Sequence, residues 1–260
     1  MVAEHARSFV FVDYSGLDSP GLMAKGFYFL TGFGHEAVMV FFVISGYLVG
    51  GKVWSLYREG RFGWRRYLAD RLSRLYAVLL VALLLGAVLD WSGYLFFNEY
   101  GLYNKGYEGS IAVLGTDPIV RMGWRDFLVN AFFLQTIAGP PFGSNGPLWS
   151  LAYEWWYYIF FPFALATVWP IANGGSQLVK GAKHVPCSAT VAKARVGAFV
   201  SLIVVGGLCW FLTLEILIFF GVWLLGVIAA GRGALEDRRS EIEDRVEEKA
   251  EGAVSYTHLT

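Results

Sequence analysis

The feature that most constrains this chain is a series of apolar runs long enough to measure against a lipid bilayer. A membrane helix needs about 20 mostly apolar residues to cross the hydrocarbon core. Residues 37–57 open with AVMVFFVISGYLV and are long enough to span. Residues 75–89 hold no charge and lie between Arg74 and Asp90. Residues 153–170 are rich in aromatics and contain one acid, Glu154. Residues 196–230 carry a single charge, Glu215, and suit a tight helical hairpin with Glu215 near its turn. The run 127–138 is too short for a complete span and reads as re-entrant. Four or five complete spans are legible. With the partial segments added, the expected fold class is all-α: a polytopic integral membrane helical bundle of about 5–7 membrane segments.

Composition narrows the function classes. The 260 residues are 56% hydrophobic and 16% charged, against about 45–50% and about 25% in soluble domains. An ordinary soluble domain is therefore excluded. So are a disordered chain, which would lack the 17% aromatics, and a disulfide scaffold, which two Cys cannot build. The zero net charge is a cancellation. Residues 232–252 hold eight acids and five bases, and the remainder carries a net positive charge. Residues 1–231 thus read as a membrane domain and 232–252 as a polar charged connector, possibly helical. The expected partner is the bilayer. No global basic footprint for nucleic acid exists. His184 and Cys187 form a lone HxxC, so no metal site is expected.

Orientation follows the Lys/Arg bias of short loops. Arg58, Arg61, Arg65, Arg66, Arg71 and Arg74 cluster between the first two clear spans. Lys180, Lys183, Lys193 and Arg195 lie in a second loop without acids. Both loops are expected on the cytoplasmic side, which requires an even number of crossings between them and holds if 127–138 does not cross. The stretch 90–125 is then extracytoplasmic, and its Gly, Tyr and Asn suit a carbohydrate-facing or any interfacial loop.

Polar groups in apolar segments cost several kcal/mol unless partnered, so they are the functional candidates. In the first span, Gly34-His35-Glu36 opens the helix and Ser45-Gly46 interrupts its middle. Ser45 can bond back to a helix carbonyl, and small residues admit a second helix; packing is the plainer reading. Arg66, Arg71 and Arg74 can lie on neighbouring faces of a juxtamembrane helix. Guanidinium forks there suit phosphate, while topology and lipid contact are the alternative. In NGPLWSLAYEWWYY (145–158), Ser150 and Glu154 are an i, i+4 pair. Glu154 needs a partner such as Arg, a Tyr hydroxyl or water. His5 is a potential base near neutral pH, and by itself an ordinary surface residue. Glu215 is accommodated by its turn position.

Taken together these pieces resemble the membrane acyltransferase family often called acyltransferase 3. The matching elements are GHEAVMVFFVISGY (34–47), RRYLADRLSRLY (65–76), PLWSLAYEWWY (147–157) and FFGVWLLGVIAA (219–230). The segment EHARSFVFVDY (4–14) is similar to the stretch around the His that the family treats as catalytic, which makes His5 the carried-over residue. The resemblance implies an Arg eleven positions ahead of that His, about 16 Å along a helix; the sequence as written starts too late to hold it.

The resemblance implies O-acyl transfer, with acetyl as the expected group, from acyl-CoA to a hydroxyl of a cell-surface glycan or lipid-linked acceptor. Acyl-CoA is then a co-substrate and no cofactor is resident. The catalytic candidates are His5 and Glu154. His5 takes the acceptor proton; Glu154 orients His5, binds acceptor or holds a structural arginine. Arg66, Arg71 and Arg74 are expected to bind the donor phosphates. Ser45, Ser150 and Glu36 line the passage or are structural. A multi-pass protein of a bacterial inner membrane is implied. Two other readings stand beside this one: a non-enzymatic carrier of lipid-linked glycan, and an inactive fragment. Family members are usually longer, so truncation at both ends is expected. AVSYTHL (253–259) reads as the translation of a sequencing adapter, which sets 253–260 aside from fold reasoning.

Overall fold

In a computed structural model the chain is all-helical. The structure describes residues 7, 11, 14–99, 101–104, 116–172 and 187–257, with side chains left aside at 170–172, 187–194, 235 and 237–257. Helix α1 (Leu22–Thr31) is followed by α2 (Gly34–Ser45), a π-turn (Gly46–Gly50) and α3 (Gly51–Arg58). Then come α4 (Trp64–Phe96), α5 (Trp124–Ala131), α6 (Leu148–Ala172), α7 (Cys187–Phe211) and α8 (Leu214–Thr257).

Three stretches are long and apolar enough to cross a membrane: Leu22–Arg58, Trp64–Phe96 and Leu214–Ala234. These three, counted among the described residues, do not bear out the expected five to seven segments. Helix α6 has the length, 25 residues, but its run of Trp and Tyr lowers its hydropathy. The first span starts earlier than the apolar run at 37 suggests, with a break at Gly32 and Phe33. The second begins at Trp64, so Arg65, Arg66, Arg71 and Arg74 are its opening turns rather than a loop. Residues 196–230 form two helices, α7 and α8, broken at Leu212 and Thr213, but α7 packs along α6 rather than along α8, so the expected tight hairpin does not form. Part of the second basic loop is helical, because α7 starts at Cys187. Helix α8 continues to Thr257, so the charged stretch 232–252 has helical backbone.

The surface of α4 shows what solvent it suits. Val78, Val81, Leu85 and Val88 recur at i, i+3, i+7 and i+10 and are exposed, while Leu75, Leu79 and Leu83 are buried. A soluble bundle puts polar residues on the outward face; here both faces are apolar, as in lipid. The apolar outer face of α4 fits a lipid surface.

Contacts set the helix directions. His35, Ser45 and Gly51 of the first span meet Phe219, Trp223 and Ala230 of α8 in that order, so the two run parallel. Phe42, Ser45 and Tyr57 likewise meet Tyr153, Glu154 and Pro162 of α6. Helix α4 runs the other way: Tyr67 reaches Tyr158, and Asp90 reaches Ser144 ahead of α6. The arginines around residue 61 therefore mark one end of the bundle. The start of α2, α6 and α8 marks the other.

The segment 127–138 does not cross. Helix α5 has 8 residues, about 12 Å against a core of about 30 Å. It then folds into a compact turn fixed by side chains. Asn130 is fully buried, donates to Asp126 and Pro140 carbonyls at 2.8 and 2.9 Å, and accepts from Phe142 N–H. Trp156 donates to the Phe133 carbonyl at 2.9 Å. These bonds supply partners that a buried irregular backbone needs. Asp90 does not flank a span as its sequence position suggests. It lies within α4, is 3% exposed, and accepts from the Ser144 hydroxyl at 2.6 Å and the Ser144 N–H at 2.8 Å. Gly143, at φ +57, has no room for a Cβ beside that carboxylate.

Candidate functional site

Helix α6 carries the central acid. Leu148 follows the Gly146-Pro147 break, and six positions on Glu154 points into the bundle, 5% exposed. Ser150, its i, i+4 neighbour, does not bond it. The Ser150 hydroxyl donates to the Pro147 carbonyl at 2.9 Å and caps the helix start. The partners of Glu154 come from elsewhere. The Ser45 hydroxyl of α2 donates to Oε1 at 2.7 Å. The Tyr158 hydroxyl, one turn along α6, donates to the same oxygen. Trp223 Nε1–H of α8 donates to the Ser45 oxygen at 3.2 Å. Three helices thus aim N–H and O–H groups towards one carboxylate, which is what a buried acid requires. Ser45 spends its proton on Glu154 rather than on a backbone carbonyl.

The sequence allowed Ser45-Gly46 to admit a second helix, and the structure shows how closely. A Cβ on Gly46 would strike the Trp223 carbonyl, and one on Gly226 would strike the Val43 carbonyl. The backbones of α2 and α8 touch there. The π-turn from Gly46 to Gly50 sits at this contact, beside the Ser45–Glu154 bond.

Arg71 links this centre to the basic end. Its guanidinium carbon lies 5.9 Å from the Tyr67 ring centre and 5.8 Å from that of Tyr158. The Tyr67 hydroxyl donates to the Tyr158 carbonyl at 3.0 Å, which fixes the two rings. Arg71 Nε is buried without a hydrogen-bond partner, as is Nε of Arg58. Arg66 and Arg74 are exposed on the outside of α4. The three candidate phosphate ligands therefore do not act as one cluster: Arg71 turns inward and the other two outward. In the turn at 59–63, Glu59 accepts from Ser55 at 2.8 Å and Arg61 at 3.0 Å, and these bonds hold its carboxyl below the usual range.

The remaining expectations fall apart from the centre. Glu36 is exposed in the first turn of α2. His5 and His184 lie outside the described residues. Glu215 does more than fill a turn, since it accepts from the Tyr153 hydroxyl at 3.2 Å. No three His, Cys, Asp or Glu gather to hold a metal among the described residues. Tyr158 and Trp223 were missed. Tyr158 was open to discovery as the i+4 neighbour of Glu154. Trp223 had no signal, because it joins Ser45 from 178 positions away.

The model of a family described as an acyltransferase domain matches residues 8–234. A protein of Haemophilus influenzae, described as uncharacterized, is 27% identical over 127 residues, which is 48% of this chain and 47% of that protein. The chain therefore matches about half the length of that relative. No solved structure matches.

Proposed function

The chain belongs to the acyltransferase 3 family, and from that premise we propose that it moves an acyl group from acyl-CoA to a hydroxyl of a cell-surface glycan or related acceptor. The observation that carries this reading beyond family membership is the inward Arg71, set against the rings of Tyr67 and Tyr158 with its buried Nε unpartnered. A guanidinium with unspent donors at a basic helix start suits a phosphate-bearing donor. Arg66 and Arg74 supply attraction from the exposed rim. The Lys/Arg excess favours the cytoplasm for this end of a multi-pass protein, in a bacterial inner membrane.

In this mechanism His5 accepts the proton of the acceptor hydroxyl. The oxygen attacks the thioester carbonyl, a C–O bond forms, and the C–S bond breaks. His5 then passes its proton to the departing thiolate sulfur. Glu154 is the acid that the Ser45 and Tyr158 hydroxyls hold in place at the centre of the bundle, with Trp223 holding Ser45.

The test is transfer of labelled acetyl from acetyl-CoA in nanodiscs containing the chain. His5→Ala abolishes transfer and leaves expression intact. Undiminished transfer in that variant overturns the role of His5. Movement of intact acceptor without donor consumption favours the carrier reading instead.

A further inference from the structure

At the end of the bundle opposite the arginines, buried polar atoms collect without partners. Tyr153, in the second turn of α6, is 2% exposed and donates to Glu215 of α8. The hydroxyls of Thr136 and Thr213 approach the same phenol closely enough to act on it. Neither is in bonding geometry: both Oγ1 atoms are shut off from solvent without a hydrogen-bond partner. Gln135 is fully buried and donates through Nε2 to the Leu148 carbonyl at 2.8 Å, while its Oε1 has no partner. One turn along α6, the buried Tyr157 hydroxyl is also unpartnered. Of six such buried atoms among the described residues, four belong to this set. A buried polar atom left without a partner is costly, so their gathering calls for an occupant.

The backbone points the same way. Thr136 sits at φ +72 and Phe133 at φ +57, a region that β-branched and bulky residues avoid. Such strain gathers where a turn must present particular groups. Here it places Thr136 beside Tyr153. The set also has a way in. Glu215 is exposed, Thr136 and Thr213 are half-buried, and Gln135 and Tyr153 lie beneath them.

The chemistry of the atoms selects the ligand. Threonine and tyrosine hydroxyls both donate and accept, the Gln135 oxygen accepts, and Glu215 accepts. A ligand hydroxyl likewise does both. A phosphate only accepts and meets the charge of Glu215. An ammonium only donates and leaves the threonine protons unused. We propose that Gln135, Thr136, Tyr153, Thr213 and Glu215 form a binding site for a neutral, hydroxyl-bearing compound. The site presents the acceptor at the end of the bundle away from the arginines, an assignment that rests on the acyltransferase reading.

Binding is measured with the whole chain in nanodiscs, free of sugar detergents. Methyl α-glucoside is titrated by saturation-transfer NMR, and coenzyme A is titrated in parallel. The wild type binds the glucoside. The isosteric Thr136→Val weakens it by about tenfold, equivalent to about 1.4 kcal/mol, and Thr136→Ser retains it. Thr213→Val repeats the loss, and thermal melting confirms which variants fold. Coenzyme A affinity is the same throughout. A wild type that binds no glucoside, a Thr136→Val that binds it undiminished, or ethylammonium binding in its place overturns the site. Glucoside binding with these losses but no coenzyme A binding upholds the site and counts against the acyltransferase reading.

Discussion

Glu154 illustrates what a single residue position reveals. A lone acid in an apolar run announces a need for partners, and the sequence supplied three candidate classes for them. The structure supplies a Tyr hydroxyl, and adds a Ser and, behind it, a Trp. Tyr158→Phe keeps the ring beneath Arg71 and removes one of the two hydroxyl donors to the carboxylate. The expected cost is about 1–3 kcal/mol of stability, because a buried acceptor loses a bond it cannot replace. A lowered melting temperature relative to the exposed control Ser73→Ala is the predicted result; equal melting of the two contradicts it. His5 stays a matter of motif resemblance. The pairing of Tyr153 with Glu215 was not legible, because two residues 62 positions apart meet only once α6 and α8 are laid side by side.

At the scale of elements, lengths and hydropathy made the spans at 37–57, 75–89 and 196–230 legible, while their ends were not. Arginines are compatible with the opening turns of a helix at a membrane edge, where long side chains reach out of the lipid. Charge therefore marks where lipid stops, not where the helix stops, and α4 overruns its apolar run at both ends. Close packing was half legible. Gly46 advertised a close approach, but its partner Gly226 lies on a helix far along the chain. Gly46→Ala and Gly226→Ala each force a methyl into backbone of the facing helix. Overpacking of this kind costs about 1–3 kcal/mol, and backbone cannot rotate aside as a side chain does. Gly206→Ala and Gly221→Ala meet open space and leave the melting temperature unchanged. Equal melting of all four variants contradicts the direct backbone contact of α2 and α8.

Across the whole molecule, the first span, α6 and α8 run parallel and α4 runs against them, so the turn at 59–63 and the last turns of α6 lie at one end. The segment 127–138 turns back after α5 and does not cross. The opposite end carries the unpartnered hydroxyls. One bundle therefore separates a basic end, the proposed donor side, from an end with unpartnered hydroxyls, the proposed acceptor side, with Glu154, Ser45 and Tyr158 between them. Composition could exclude a soluble domain but could not show this polarity, which arises from a few side chains brought together by packing. The account stands on Arg71 as the group that brings the donor to the centre. The most direct measurement is the dependence of acetyl transfer on acetyl-CoA concentration for wild type, Arg71→Lys and Arg71→Ala in nanodiscs. Arg71→Ala raises the donor KM by about tenfold or more, the loss of one charge-assisted contact of about 1.5–3 kcal/mol, and Arg71→Lys recovers part of it. A donor KM that is the same in all three contradicts the account.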